Sequence, residues 1–392
     1  MIVLVNYPYD PEIRDPEELL GRYGTLRGWA RALAQADARV SVVQRFWRDI
    51  DLRSDEVDYR FVSDGAGPTV PAWHWSDRAA RAAAHLRPSV VHFNGMVFPI
   101  AVRVFRRHLA RPTPLLVQDH GGIHDGSAGF QDWRWRALHR MGLRAADGFL
   151  FAAREQAEPW LRSRILASTQ AIYEVPEASS DLYPPLPATS TPSKLPGSPA
   201  LLWVGRLDQN KDPLTILDGF ERAIADLPEA ALTMVFGTDE LLADLRRRVA
   251  ESPLLEARVH LLGRVEHAAL AALYSAADIF VLGSHHEGGA YALVEALGFG
   301  VTPVVSDIPA FRVLTREMNR DINNGGLAAL FPVGDSRSFA QAIVILATKD
   351  LSGRRLAIRE HFARTLSWPA IARSALDIYA QARARGRAKP GG

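Results

Sequence analysis

Glu287 and Glu295 stand eight positions apart, with Gly288 and Gly289 after the first and a helix-like run leading to the second. At 1.5 Å of rise per helical residue their separation is roughly 10 to 13 Å, enough for one carboxylate to take the hydroxyls of a sugar and the other those of a ribose. The glycines free the backbone between them so that amides can point at a ligand. The unsatisfied N–H groups of a helix starting near Ala290 form an anion site suited to phosphate. Upstream, in GRLDQNKDP, Arg206 and Lys211 are five apart and could neutralise a diphosphate, one as a planar fork and the other as a point charge. In DHGGIHDGSAG, His120 follows the run LLVQ and precedes two glycines, which predicts a ring facing a cleft. Each residue also has a plainer account. Glu295 is equally a partner of a helix macrodipole, the glycines a turn, Arg206 and Lys211 surface cations, and His120 and His124 structural histidines.

The elements that must position these groups are readable around them. DIFVLG at 278–283 and VTPVVSD at 301–307 are apolar runs of strand length. Between them Leu293, Ala296 and Leu297 form a helical stripe that Gly298 and Gly300 end. The first half alternates in the manner of a parallel, doubly wound domain, with strands at 2–5, 40–43, 90–93 and 115–118 and helices at 25–35 and 78–86. Its polar loops at 6–23, 94–96 and 119–129 fall at strand ends, where ligands gather in such sheets. Residues 181–199 hold six prolines and no periodicity, and read as a semi-stiff linker. ALLWVG at 200–205 then opens a second alternating series. The expected organisation is 1–182 as the first domain, 183–199 as linker, 200–368 as the second domain and 369–392 as a helix and tail.

A length of 392 residues suits two domains, and 47% hydrophobic with 23% charged residues allows each a full core. No apolar run is long enough to span a bilayer, and MIVLVNYPYD reads as a first strand, not a signal peptide. With no cysteine, thiol chemistry is excluded and a cytoplasmic location is expected. A net charge of +2 argues against a dedicated nucleic-acid binder. His120 and His124 share a metal-ligand spacing, but it aligns ligands only on a helix, which Gly121-Gly122 disfavours. Asp49-Ile50-Asp51 imitates a metal-binding DxD in a polar segment without an apolar strand before it, and reads as solvated surface. Eight arginines against three acids lie between 100 and 145, interleaved with Trp133 and Trp135. They read as a solvated helix whose stems cover apolar surface, or as a face for an acidic acceptor or anionic lipid. Trp73 and Trp75, flanking His74, read as core or as acceptor platforms.

EGGAYALVEA resembles, in spacing and order, the two-glutamate signature of the retaining glycosyltransferases of family 4, and GRLDQNK resembles their G-R-L-x-x-x-K element about eighty residues upstream. GLAALFPVGD at 326–335 is similar to their closing G-L-L-F-P-x-G-D. The resemblance implies an α/β chain of GT-B fold, two Rossmann-like doubly wound domains facing a central cleft, with the helix at 369–392 returning toward the first domain, moving a sugar with retention from a nucleotide diphosphate sugar. It implies that Glu287, with His120, Gly288 and Gly289, meets the donor sugar and that Glu287 and His120 serve the chemistry. Arg206, Lys211, Gly24, Gly289, Ala290 and Tyr291 would meet the diphosphate, and Gly263, Arg264, Val265, Leu293 and Glu295 the nucleoside. It implies neither metal nor cofactor, since the nucleotide sugar is a co-substrate, with a UDP-sugar favoured and GDP-mannose next. The acceptor would be a small molecule, glycan or lipid-linked sugar, and membrane contact at most peripheral, at the inner face. The sequence departs from the family where Tyr23-Gly24 replaces paired glycines and where REMNRDINN at 316–324 lengthens a link. A phosphorylase or nucleotide-sugar epimerase, or a non-catalytic nucleotide-sugar-binding partner, remain alternative expectations.

Overall fold

A computed structural model describes residues 1–8, 10–65, 73–121, 127–182, 195–318, 326–348 and 352–388. The chain divides into two compact units, Met1–Ala178 with Trp368–Gly392, and Ser179–Ser367. Among the described residues no helix is long and apolar enough to cross a membrane. His124, most of the proline-rich linker and most of the link at 316–324 lie outside the described residues.

The first unit is built on a sheet of eight strands: β1 (Ile2–Asn6), β2 (Val40–Phe46), β3 (Ile50–Ser54), β4 (Val57–Ser63), β5 (Val90–Asn94), β6 (Leu115–Gln118), β7 (Gly148–Phe151) and β8 (Ala171–Glu174). Their order is β3-β4-β2-β1-β5-β6-β7-β8, parallel except where β3 pairs antiparallel with β4. Two buried apolar clusters cover its faces. β1, β2, β5 and β6 carry apolar side chains into both, which is why their runs are mostly apolar instead of alternating. The helix Gly24–Gln35 and the C-terminal helix Trp368–Ala388 share one face, where Trp29, Ala30 and Leu33 meet Trp368, Ile371 and Ala375. A Cβ on Gly28 would collide with the Trp368 ring, so a glycine there permits the close approach.

Two expectations for this unit are corrected. The loop at 6–23 contains the helix Pro16–Arg22, whose N-cap Asp15 accepts from the Glu18 amide and whose Pro16 fits the first turn. The segment at Asp49–Asp51 is no loose polar stretch but the start of β3, an edge strand whose polar outer face is ordinary for that position. β3 and β4 are joined through Asp55 and Glu56, both at positive φ (53° and 63°), the left-handed pair that a two-residue hairpin needs. The usual Asn-Gly or Asp-Gly signal was absent, which is why the hairpin was illegible.

The second unit holds six parallel strands: β9 (Ala200–Gly205), β10 (Ala231–Phe236), β11 (Val259–Gly263), β12 (Ile279–Leu282), β13 (Thr302–Ser306) and β14 (Ala329–Phe331). Their order is β11-β10-β9-β12-β13-β14. The chain steps outward from β9 to β11, then crosses to the other side of β9 and steps outward again. The reversal lies between β9 and β12, and the crevice beyond their carboxyl ends is where such sheets bind ligands.

Candidate functional site

The loops leaving β9 and β12 contain Arg206 to Asp212 and Gly283 to Ala290. Lys211 Nζ forms an ion pair with Glu287 Oε1, and Ser284 Oγ donates to the same oxygen at 2.6 Å. Lys211 and Glu287 are 15% and 10% exposed, so this charge pair is largely withdrawn from water and screened less than a surface pair. Asn210 clamps the two loops together. Its Nδ2 donates to His286 O at 3.1 Å, its Oδ1 accepts from His286 N at 3.1 Å, and its carbonyl accepts from His285 N at 2.8 Å. Sequence reasoning passed over Asn210; only its place beside Lys211 could have pointed to it. Arg206 is 63% exposed and its guanidinium lies 3.0 Å from Asp208. Asp208 also accepts from the Lys211 amide at 2.9 Å, which shapes the loop.

The helix Tyr291–Gly298 begins at Ala290, which has φ 49° and ψ 44°, the left-handed region, and offers no side-chain cap. Gly288 and Gly289 are not the left-handed residues of this turn; Ala290 is. Leu293 is fully buried and its N–H is donated to Ala290 O at 3.0 Å. Its side chain therefore serves the core and its amide the turn. Tyr291 is 47% exposed. One further turn along, Glu295 is buried. Its Oε1 lies 2.8 Å from His267 Nε2 and its Oε2 accepts from Tyr274 Oη at 3.0 Å. Burial, then the neighbouring carboxylate, pushes the Tyr274 phenol well above its ordinary range, so Tyr274 stays a donor. The two glutamates thus have different partners: a lysine and a serine for Glu287, a histidine and a tyrosine for Glu295. His267 is exposed, as is Arg264, while Gly263 has φ 71° and Val265 packs partly against the core. These residues end β11, on the β10 side of the crevice.

In the first unit Gly24 is the first residue of its helix, directly after Tyr23 closes the preceding one, and not part of a free glycine loop. A Cβ there would meet nothing within 4 Å, so open space is what this glycine provides. His120 follows β6, and its Nδ1 lies 2.6 Å from Glu177 Oε1 in the segment after β8. Asp119, buried beside it, accepts from the Gly121 amide at 2.9 Å, and burial raises its carboxyl to about 6.

The remaining candidates have local partners. Asp49 accepts from the Ser63 amide at 2.7 Å and pairs with Arg78, and Asp51 pairs with Arg60 at 3.2 Å. Arg106 donates to the Thr113, Leu109 and Ala110 carbonyls and to Asp147, and Arg140 to those of Ser163 and Arg164. These two arginines tie helices to loops. Trp135 stacks on His139 at 3.7 Å between centroids, whereas Trp73, Trp75 and Trp133 are 62%, 56% and 66% exposed. The expectation of core tryptophans at 73 and 75 is therefore corrected.

Comparison with known proteins fits this geometry. The model of the family Glycosyl transferases group 1 matches residues 198–349, the span holding Arg206, Lys211, Glu287 and Glu295. The chain is 32% identical over 190 residues to a GDP-mannose:cellobiosyl-diphosphopolyprenol alpha-mannosyltransferase of Xanthomonas campestris, covering 48% of each chain. It is 27% identical over 302 residues to the Xanthomonas oryzae protein of the same name, covering 74% of this chain and 73% of that one. A phosphatidyl-myo-inositol mannosyltransferase of Mycobacterium leprae is 29% identical over 199 residues, with 48% and 50% covered. The chain thus spans about half the length of the first and third of these relatives. Sucrose-phosphate synthase from Thermosynechococcus elongatus has TM-score 0.64 at 20% identity, covering 98% of this chain and 99% of that one. A glycosyltransferase from Rickettsia africae has TM-score 0.69 at 12% identity, covering 97% and 98%. With its two doubly wound sheets the chain has the GT-B fold, and its second unit is similar to the glycosyl transferases group 1 family over residues 198–349.

Proposed function

We propose that the chain is a metal-independent, retaining glycosyltransferase that takes its sugar from a nucleotide diphosphate sugar. The observation that carries this reading is the convergence of Lys211, Glu287 and Ser284 at the uncapped start of the helix Tyr291–Gly298, with Arg206 on the neighbouring loop. A departing diphosphate gathers negative charge, and a lysine, an arginine and a helix N-terminus stabilise it where it develops. Glu287, fixed by Lys211 and Ser284, is the acceptor for donor-sugar hydroxyls. Glu295 lies a turn into the helix as the acceptor for ribose hydroxyls, which would share or displace the exposed His267.

The family resemblance favoured a UDP-sugar, but the GDP-mannose named for the Xanthomonas relatives and the mannosyl transfer named for the Mycobacterium one shift our preference to GDP-mannose, with a lipid-linked or glycan acceptor. Calorimetry with GDP, UDP and the bare nucleosides tests the site. Lys211→Ala and Arg206→Ala are expected to weaken the diphosphate by about tenfold or more, a charged hydrogen bond being worth roughly 1.5 to 3 kcal/mol, and the nucleoside little. Equal losses for both ligands would remove the phosphate role. In the same series a chelator is expected to leave turnover unchanged; loss of turnover that magnesium or manganese restores would overturn metal independence.

A further inference from the structure

Glu177 enters none of the roles above, yet its surroundings are unusual. It lies three residues beyond β8, is 6% exposed, and offers one oxygen to His120 Nδ1 at 2.6 Å. Its other oxygen, Oε2, is buried without a hydrogen-bond partner among the described residues. A buried carboxylate oxygen left unpaired costs several times what a made bond returns, so its retention calls for a use. The His120 side chain is 38% exposed, and with Nδ1 turned to Glu177 its remaining polar atom is Nε2.

We propose that Glu177 is the positioning residue of His120: it accepts from Nδ1–H, fixes the ring so that Nε2–H donates to a substrate oxygen, and keeps Oε2 as acceptor for a second substrate hydroxyl. A donor beside an acceptor matches neighbouring hydroxyls of a carbohydrate ring, so the ligand class is a sugar. That part of the inference rests on the transferase reading. The pairing of Glu177 with His120 does not.

The charges around the ring agree with a donor role. Burial lowers the His120 pKa, but the Glu177 charge and hydrogen bond, with Asp119 beside it, outweigh burial and raise it above its ordinary value. Among the described residues His92 on β5 also acts on this site. Burial lowers it to about 3, so it stays neutral and leaves His120 the imidazolium of the cluster. A raised folded pKa means that the charged, doubly donating ring is present below that pKa and lost as pH rises through it. Activity that depends on Nε2–H should therefore fall on the alkaline side.

Long-range ¹H–¹⁵N spectra of the ligand-free full chain, with the His120 signals assigned by their loss in His120→Gln, read the ring without any substrate. We expect wild-type His120 to titrate above the ordinary histidine value and Glu177→Gln to bring it down. A wild-type ring titrating at or below that value, or one unmoved by Glu177→Gln, overturns the pairing. With a working donor, Glu177→Gln should lower kcat about tenfold or more through misalignment, leave nucleoside diphosphate affinity intact and move the alkaline limb to lower pH. An unchanged kcat and limb overturn the substrate role. Should Glu177→Gln fail to fold, Glu177→Asp replaces it. It keeps the charge, so His120 should stay raised while kcat still falls, and a fall in both or in neither refutes the proposal. Absence of turnover with every donor would refute the transferase reading instead, with the spectra still deciding the pair.

Discussion

Glu287 and Glu295 are the same residue type in one short stretch, and their neighbours make them different. Glu287 sits on a loop against a cation, so its charge is compensated before any ligand arrives. Glu295 sits on a helix and receives hydrogen bonds from His267 and Tyr274. Glu287→Gln leaves Lys211 and Ser284 in place and removes the charge of the acceptor we propose for the sugar. It is expected to reduce turnover severely with little change in affinity for the sugar-free nucleotide. Glu295→Gln is expected to do the reverse, since charge-assisted bonds to ribose hydroxyls are worth roughly 1.5 to 3 kcal/mol each. Calorimetry beside turnover separates the two, and equal losses of nucleotide affinity would leave the pair as helix support only.

At the scale of elements, the turn into the helix Tyr291–Gly298 depends on a left-handed residue that is not a glycine. An L-residue there costs about 1 to 2 kcal/mol, and Ala290, 4% exposed, bears it within the core of the second unit. A β-branched side chain is far less tolerant of positive φ. Ala290→Val should therefore destabilise the chain by more than about 1 kcal/mol and weaken nucleoside diphosphate binding by turning the first helical amides. Melting temperature and calorimetry check both effects. A variant equal to wild type in each would show that the left-handed turn is dispensable. The sequence could not disclose this conformation, because two glycines just before Ala290 drew attention to themselves.

At the scale of the molecule, the C-terminal helix completes the first unit from the far end of the chain. Trp29 Nε1 donates to Tyr379 Oη at 3.3 Å, Tyr379 Oη to His92 Nδ1 at 2.7 Å, and His92 Nε2 to Gln118 Oε1 at 2.9 Å. The direction of the last two bonds follows from a neutral His92, which burial holds at about 3. Because that folded value lies below the unfolded one, the unfolded chain binds more protons between pH 6.5 and 3. Stability is then lost as pH falls, at up to about 1.4 kcal/mol per pH unit from this one group. His139, lowered to about 4 by burial, acts in the same sense, and Asp119, raised to about 6, in the opposite one. Comparing His92→Gln with wild type isolates the His92 share. The variant should be less stable at pH 7, having lost part of the chain of bonds, yet show a flatter fall in melting temperature between pH 6.5 and 5. Parallel slopes would assign the acid sensitivity elsewhere.

The alternation of apolar strand runs with helical stripes, and the spacings Arg206 to Lys211 and Glu287 to Glu295, were local properties, written in periods of 2 and 3.6 and in residue type. They determined the α/β class and identified the stretches that carry cations and carboxylates. What paired with what was not local. Lys211 meets Glu287 across 76 positions because β9 and β12 lie side by side, and His120 meets Glu177 across 57 because the segments after β6 and β8, on either side of β7, come together beyond the strand ends. Asn210, His267, Tyr274 and Glu177 are ordinary residue types without a motif, so only the sheet order made them partners of the residues that had one. A helix at 369–392 returning toward the first domain was expected, but the face it covers, beside the helix Gly24–Gln35, was decided in three dimensions.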